Sequence, residues 1–219
     1  MSDKYPSMSP YNYCANNPII LVDPDGREFG DFVDLGGNYL GTDGIDDGKI
    51  YFVSDKKSQR LIKKNDRKEL TTSSSEVKVD YETKTDVLCE AVDVFDRTTE
   101  NGGDLEKSTV LIGNESYIGK RGTNENCTLP KNEGDVSIHS HPFTIEDGML
   151  STTEASGDDR NVFPHYKVNI IVGKTNIDPN AFLLGTRYDV MTFYGQDRSL
   201  IPQFQIDIST ARNIINRKK

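Results

Sequence analysis

The chain has 219 residues, with 26 Lys and Arg against 35 Asp and Glu, for a formal net charge of −9. An acidic surface of this kind repels polyanions on average, which excludes nucleic-acid recognition through a broad basic face. Apolar residues make up 34% and mean hydropathy is −0.62, low but outside the disordered range, and no apolar run is long enough to span a bilayer.

The length suits one medium domain or a small domain with an appended segment. Cys14, Cys89 and Cys127 are odd in number and match no zinc-finger spacing. They allow at most one disulfide, read most simply as unpaired thiols, and leave the compartment undecided. Residues 1–29 differ in character from the remainder of the chain. Ser9, Pro10, Tyr11, Asn12, Tyr13, Asn16, Asn17 and Pro18 combine turn formers with aromatics, and Asp23, Pro24, Asp25 and Gly26 form a second turn. No basic segment followed by an apolar run opens the chain, so no signal peptide is expected. The run from Ser9 to Glu28, with Asn17-Pro18-Ile19 leading to Val22-Asp23-Pro24-Asp25-Gly26, resembles the closing segment of the RHS-repeat-associated core domain. That resemblance covers about the first thirty residues and implies the C-terminal tip of an RHS-type polypeptide. In that family a variable domain, often a toxin, follows a large β-rich shell, so delivery as part of a larger polypeptide is the expectation.

Residues 32–40 read as a hairpin turning at Gly36 and Gly37. Residues 41–48 read as an acidic, turn-rich loop; Asp43, Asp46 and Asp47 lack the EF-hand register and closing Glu, so a plain turn is favoured over a calcium loop. Residues 49–54 form a strand, and the polar stretch 55–78 reads as a mobile linker or long loop. On that reading Lys56, Lys57, Arg60, Lys63, Lys64, Arg67 and Lys68 belong to a solvated linker rather than to a docking patch.

The clearest helix spans 83–101: Val87, Leu88, Ala91, Val92 and Phe95 recur at helical spacing, Thr85 or Asp86 can cap it, and Gly102 and Gly103 stop it. Strands are predicted at 108–112, 117–120, 135–141, 167–172, 181–184, 188–194 and 203–208, and a basic-ended helix at 210–217. This order gives an α/β or α+β layer fold with one mixed sheet flanked by helices, preceded by an irregular, hairpin-containing N-terminal segment. The domain expectation is a tail at 1–29, a hairpin and linker at 30–80, and a folded unit at 81–219.

Two of the three histidines, His139 and His141, lie one residue apart at the end of the 135–141 strand. A strand sends residues i and i+2 to one face, so Val136 and Ile138 face the core while both imidazoles project together from the other side. Pro142 ends the strand, and the following segment carries Glu146, Asp147, Glu154, Asp158 and Asp159, any of which can supply an oxygen ligand. A catalytic zinc takes three protein ligands and keeps one position for water, whose pKa it lowers to about 7. A further carboxylate that is not a ligand then accepts the water's proton. His165, in a loop before a strand, reads as an ordinary half-exposed histidine.

His139-Ser140-His141-Pro142, followed by Ser156 and Asp159 in Ser-x-x-Asp spacing and by the apolar strand at 169–172, resembles the JAMM (JAB/MPN-type) metalloprotease motif. The resemblance covers roughly residues 83–219 and implies a JAMM/cytidine-deaminase-like fold with one zinc per chain, held by His139, His141 and Asp159. It also implies Ser156 as oxyanion stabiliser and Glu106, at the start of the strand after the first helix, as general base. The gap from His141 to Ser156 is longer than is usual in the family. A competing alignment through Ser151 makes Glu154 the third ligand, with Asp158 a further alternative. Glu115, Glu90 and Glu133 are the rivals of Glu106. The implied function is a zinc peptidase or isopeptidase, a toxin-like effector acting on a peptide or protein, with an immunity protein and the RHS shell as partners and no nucleic acid. The alternatives are a catalytically inactive binding module of the same fold and, third, a metal-dependent nuclease effector, against which the acidic charge counts.

Overall fold

A period of two in apolar residues and one strong helical stripe generate most of the architecture. The computed structural model describes residues 29–120, 122–123, 127–143, 152–177 and 184–218. Among them, β1 (Phe29–Val33), β2 (Tyr39–Asp46), β3 (Lys49–Phe52) and β4 (Tyr81–Lys84) form a four-stranded sheet in the order β2-β1-β3-β4. β1 runs antiparallel to β2 and parallel to β3, so this sheet is mixed.

The second sheet contains β5 (Ser108–Ile112), β6 (Glu115–Ile118), β7 (Gly134–Ser140), β8 (Tyr166–Ile177), β9 (Leu184–Tyr194) and β10 (Phe204–Asp207), in the order β10-β9-β8-β7-β5-β6. Its neighbours are antiparallel except β7 and β8, which are parallel. The helices are α1 (Lys56–Asp66), α2 (Thr85–Thr99), α3 (Asp159–Val162) and α4 (Ile208–Lys218). None is long and apolar enough to cross a membrane among the described residues.

The two faces of the larger sheet are distinct. On one, Val87, Leu88, Ala91 and Phe95 of α2 and Ala211 and Ile214 of α4 pack on Val136, Ile138, Ile170, Val172, Met191 and Phe193. On the other, Phe163 packs with Ile171 and Tyr194, and α3 lies there. The sheets share a core: Val33, Ile50 and Phe52 join the α2 cluster, and Tyr81 stacks on Phe204 with ring centroids 4.8 Å apart. Aromatic pairs at this separation add about 0.5–1.5 kcal/mol beyond the area they bury. α2 ends at Gly102 and Gly103, both at φ +84°. A Cβ on Gly103 would stand 3.1 Å from the Phe143 Cβ, while its carbonyl accepts the Phe143 N–H at 2.8 Å. Glycine there lets the chain after the histidine strand dock on the helix end.

Several sequence expectations are corrected. The single mixed sheet is two mixed sheets, because the hairpin at 29–46 recruits β3 and β4 rather than joining the main sheet. The linker at 55–78 holds α1 and a 3₁₀ turn, Ser74–Glu76. Asp55 caps α1 by accepting the Ser58 N–H at 2.7 Å, and Ser73 and Glu76 close a reciprocal capping box on the turn. Only Ile62 supplies a buried apolar anchor along α1, too sparse a stripe to show as periodicity. The seven cations from Lys56 to Lys68 form its exposed face. The acidic loop at 41–48 is mostly strand, since β2 runs to Asp46 through a bulge between the Phe29 and Asp31 pairings.

Neither Thr85 nor Asp86 caps α2: Lys84 holds the cap position without a side-chain bond, and the Thr85 hydroxyl donates to the Gly48 carbonyl at 3.2 Å. The expected strand at 181–184 contributes Leu184 to β9, and 181–183 lie outside the described residues, as do 1–28 with the RHS-like run.

Ile62 is fully buried among Phe32, Leu40, Tyr51 and Val53. Ile62→Ala should therefore lower unfolding free energy by about 2–5 kcal/mol in urea titrations. A loss below about 0.5 kcal/mol would mean that α1 is not docked in solution.

Candidate metal centre

β7 carries the site on the face away from α2. Val136 and Ile138 enter the core, Ser137 and His139 point the other way, and His141 follows them one residue beyond the strand. The ladder continues past the strand end: the Ser140 N–H donates to the Lys107 carbonyl at 2.9 Å and the His141 N–H to the Val172 carbonyl at 3.2 Å. The Ser140 hydroxyl, on the α2 side of the strand between the two histidines in sequence, accepts the Lys107 N–H at 2.9 Å and the Thr98 hydroxyl at 2.8 Å. The backbone of both histidines is thereby fixed by β5, β8 and the end of α2.

Asp159 opens α3 and is 7% exposed. Its Oδ1 lies 3.1 Å from His139 Nε2 and its Oδ2 3.6 Å from His141 Nε2, while the two Nε2 atoms are 3.2 Å apart. Ser156 donates to Oδ2 from its backbone N–H at 2.7 Å and its hydroxyl at 2.8 Å. Burial alone would raise the Asp159 pKa. The hydrogen bonds of His139 and His141, the charge of His139 and the Ser156 N–H outweigh it and hold the carboxyl well below the usual carboxylate range.

The donor set fits a small divalent cation. Three atoms bound tetrahedrally at about 2.0–2.1 Å stand about 3.4 Å from one another, close to the separations of 3.2, 3.1 and 3.6 Å found here. Two imidazoles and one carboxylate are borderline and hard ligands of the kind zinc takes in hydrolytic centres. His139, His141 and Asp159 are the one group of this kind among the described residues.

Glu106 lies two residues before Ser108, which pairs across β5 and β7 with His139. Continuing that antiparallel register sets Glu106 beside His141. Its backbone is held by the Thr123 carbonyl, which accepts its N–H at 3.0 Å, and by the Gly122 N–H, which its carbonyl accepts at 3.1 Å. The side chain is buried and opens on a cleft of about 240 Å³ with His139, His141, Ser156 and Asp159. Burial pushes the Glu106 pKa up and Asp159 adds to this, while His141 and hydrogen bonds from the Cys127 thiol and N–H oppose it.

The structure thus brings all five expected residues to one cleft. Glu154 is exposed and outside the cluster; Asp158 is exposed at the cleft wall; Ser151, Glu146 and Asp147 lie outside the described residues. Glu115 and Glu133 are exposed and Glu90 sits on α2, none of them lining the cleft. His165 is exposed and apart from it. The Ser156 hydroxyl proton is directed at Asp159, so an oxyanion role would require that bond to open. Sequence reasoning missed Cys127, Leu129 and Val162 in the cleft wall. Burial and the neighbouring Glu106 push the Cys127 thiol up to about 12, and its position in a turn-rich loop gave no signal of this contact. No protein-family model matches the chain, and no curated protein or solved structure matches it.

His139→Ala and His141→Ala should each abolish stoichiometric zinc uptake, measured by metal analysis after dialysis, since two protein ligands are left. Asp159→Asn should weaken zinc more than Glu154→Gln in chelator competition; the reverse order would make Glu154 the third ligand. A carboxylate with a depressed folded pKa stabilises the fold above its unfolded pKa of about 3.9 and loses that contribution as pH falls through the folded value. The metal-free wild type should accordingly lose stability below about pH 4 more steeply than metal-free Asp159→Asn, as read by urea midpoints at successive pH values.

Proposed function

We propose that this chain is a zinc-dependent hydrolase of JAMM type that cleaves peptide or isopeptide bonds. The observation that carries this reading is a buried two-histidine, one-aspartate cluster sharing a cleft with a buried glutamate that is not part of it. The order of the elements supports it as well. A helix precedes the strand that Glu106 leads into, the histidine pair ends a central strand, and Ser156 stands three residues before Asp159, which begins a short helix that feeds a parallel strand. The resemblance of residues 9–28 to the end of an RHS core supports a place at the effector tip of such a polypeptide. The partners on this reading are a peptide or protein substrate, the RHS shell and a cognate immunity protein.

His139, His141 and Asp159 would hold the zinc. When bound there, zinc supplies Lewis acidity toward a carbonyl oxygen and acidifies a water to a pKa of about 7. Glu106 takes a proton from the attacking water and passes it to the leaving nitrogen, so the C–N bond breaks as the new C–O bond forms and no proton is left over. Burial raises its proton affinity above that of an ordinary carboxylate, the direction that a general base needs. Ser156 orients Asp159, and Leu129 and Val162 give the cleft an apolar wall that limits water around the reacting groups.

The test begins with zinc content and hydrolysis of peptide and isopeptide substrates, with and without chelator. Glu106→Gln should retain one zinc per chain and the wild-type melting temperature. Its turnover should fall about a hundred- to ten-thousand-fold, the contribution of general acid–base assistance. A zinc-loaded wild type that hydrolyses no such bond would instead make the domain a binding module.

A further inference from the structure

Asn169 lies on β8 between Val168 and Ile170 and is fully buried. A polar side chain in a central strand costs free energy unless every group is bonded. Asn169 meets that condition by joining three separate parts of the chain. Its Oδ1 accepts the Ser137 hydroxyl at 2.5 Å, and its Nδ2 donates to the Phe163 carbonyl at 3.1 Å and the Gly195 carbonyl at 3.0 Å.

Both primary partners lead to the metal centre. Ser137 is the Cα partner of Asn169 in the parallel β7–β8 pair and lies two residues before His139 on the same face. Phe163 closes α3, its N–H donating to the Asp159 carbonyl one helical turn back. α3 has only four residues, and an isolated turn has no stability of its own. Something outside it must set where Asp159 stands. The Phe163 ring, buried against Ile171 and Tyr194, fixes how deep α3 sits on the sheet. The Asn169 amide fixes the end of α3 to the strand that carries the histidines.

We infer that Asn169, with Ser137, is the positioning residue that sets the separation between the imidazole pair and the Asp159 carboxylate, and through it the affinity for the cation. The inference rests on the metal reading of the His139, His141 and Asp159 cluster. Asn169 touches neither the ion nor the substrate; it acts through Phe163 and α3 on one side and through β7 on the other. Groups bonded directly to metal ligands commonly change affinity ten- to a hundredfold; Asn169 stands one step further out but acts on both ligand-bearing elements at once.

The experiment measures zinc affinity by chelator competition and the visible spectrum of the cobalt-substituted protein. It compares wild type, Asn169→Ala, Ser137→Ala and Ile62→Ala. Asn169→Ala should bind zinc ten- to a hundredfold more weakly and show a shifted cobalt spectrum. Ser137→Ala, which loses one bond and keeps the amide donors, should show a smaller loss in the same direction. Ile62→Ala, destabilised in a separate cluster, should bind as wild type does, because general destabilisation moves melting temperature without moving ligand geometry. Wild-type affinity and an unchanged spectrum in Asn169→Ala overturn the inference while leaving the metal reading intact. Wild-type protein that takes up no zinc overturns the metal reading and this inference together. Should Asn169→Ala fail to fold, Ser137→Ala decides: severalfold weaker zinc supports the assignment, and unchanged zinc overturns it.

Discussion

The alternation of β7 is the constraint on which the rest depends. A strand has two faces, and this one spends them on opposite chemistry: Val136 and Ile138 enter the α2 core, while Ser137, His139 and His141 line the other side. A slip of one residue would put two imidazoles into an apolar core and two aliphatic side chains into the cleft, so the core enforces the register. That register in turn pairs Ser108 with His139 and Asn169 with Ser137. The histidine pair is therefore positioned at the end of a rigid strand by the same packing that stabilises the sheet.

Electrostatics complete what the register begins. Burying a carboxylate costs several kcal/mol unless charges and donors offset it. Asp159 is offset by two imidazoles and two Ser156 donors, all converging on the same pair of oxygens. That convergence distinguishes it from Lys167–Asp135 at the surface, where an ion pair contributes little. It gathers negative charge and imidazole nitrogens within the span a small dication occupies.

Much of this was legible in the sequence where a single local rule governs. The period of two across 135–141, the helical stripe of 87–95 and the glycine pair at 102 and 103 each name their element without help from the rest of the chain. The short strand after Glu106 and the terminal helix follow from the same rules. What escaped was held by tertiary contact. α1 has one buried apolar residue and an exposed face of like charges four apart, a pattern that local propensity reads as solvated chain. The separation of the four-stranded sheet from the main one depends on pairings such as β1 with β3, which no local pattern encodes. Within the site, residue types and spacing pointed to His139 and His141 and left five carboxylates open, among which the JAMM resemblance implied Asp159; α3 was invisible because four residues carry no period. Cys127 was invisible too, because its contact with Glu106 joins positions twenty-one apart through a loop.

The division of labour across the cleft follows from these supports. The three residues that could hold a cation depend on β7 and α3, tied to each other through Ser137, Asn169 and Phe163. Glu106 depends on different contacts: the Thr123 and Gly122 backbone clamps and the Cys127 donors, reached along β5 from the end of α2. The two systems share Ser140, which lies between the histidines in sequence and whose hydroxyl accepts the N–H of Lys107, the residue after Glu106. Glu106 stands on a different segment from the cluster, just before β5, and its proton affinity is set by burial first, with His141 and the Cys127 donors opposing and Asp159 adding to the rise. The backbone bonds around Ser140 hold the two parts in register. In this geometry Glu106 and the His139, His141 and Asp159 cluster face one volume without competing for the same hydrogen bonds.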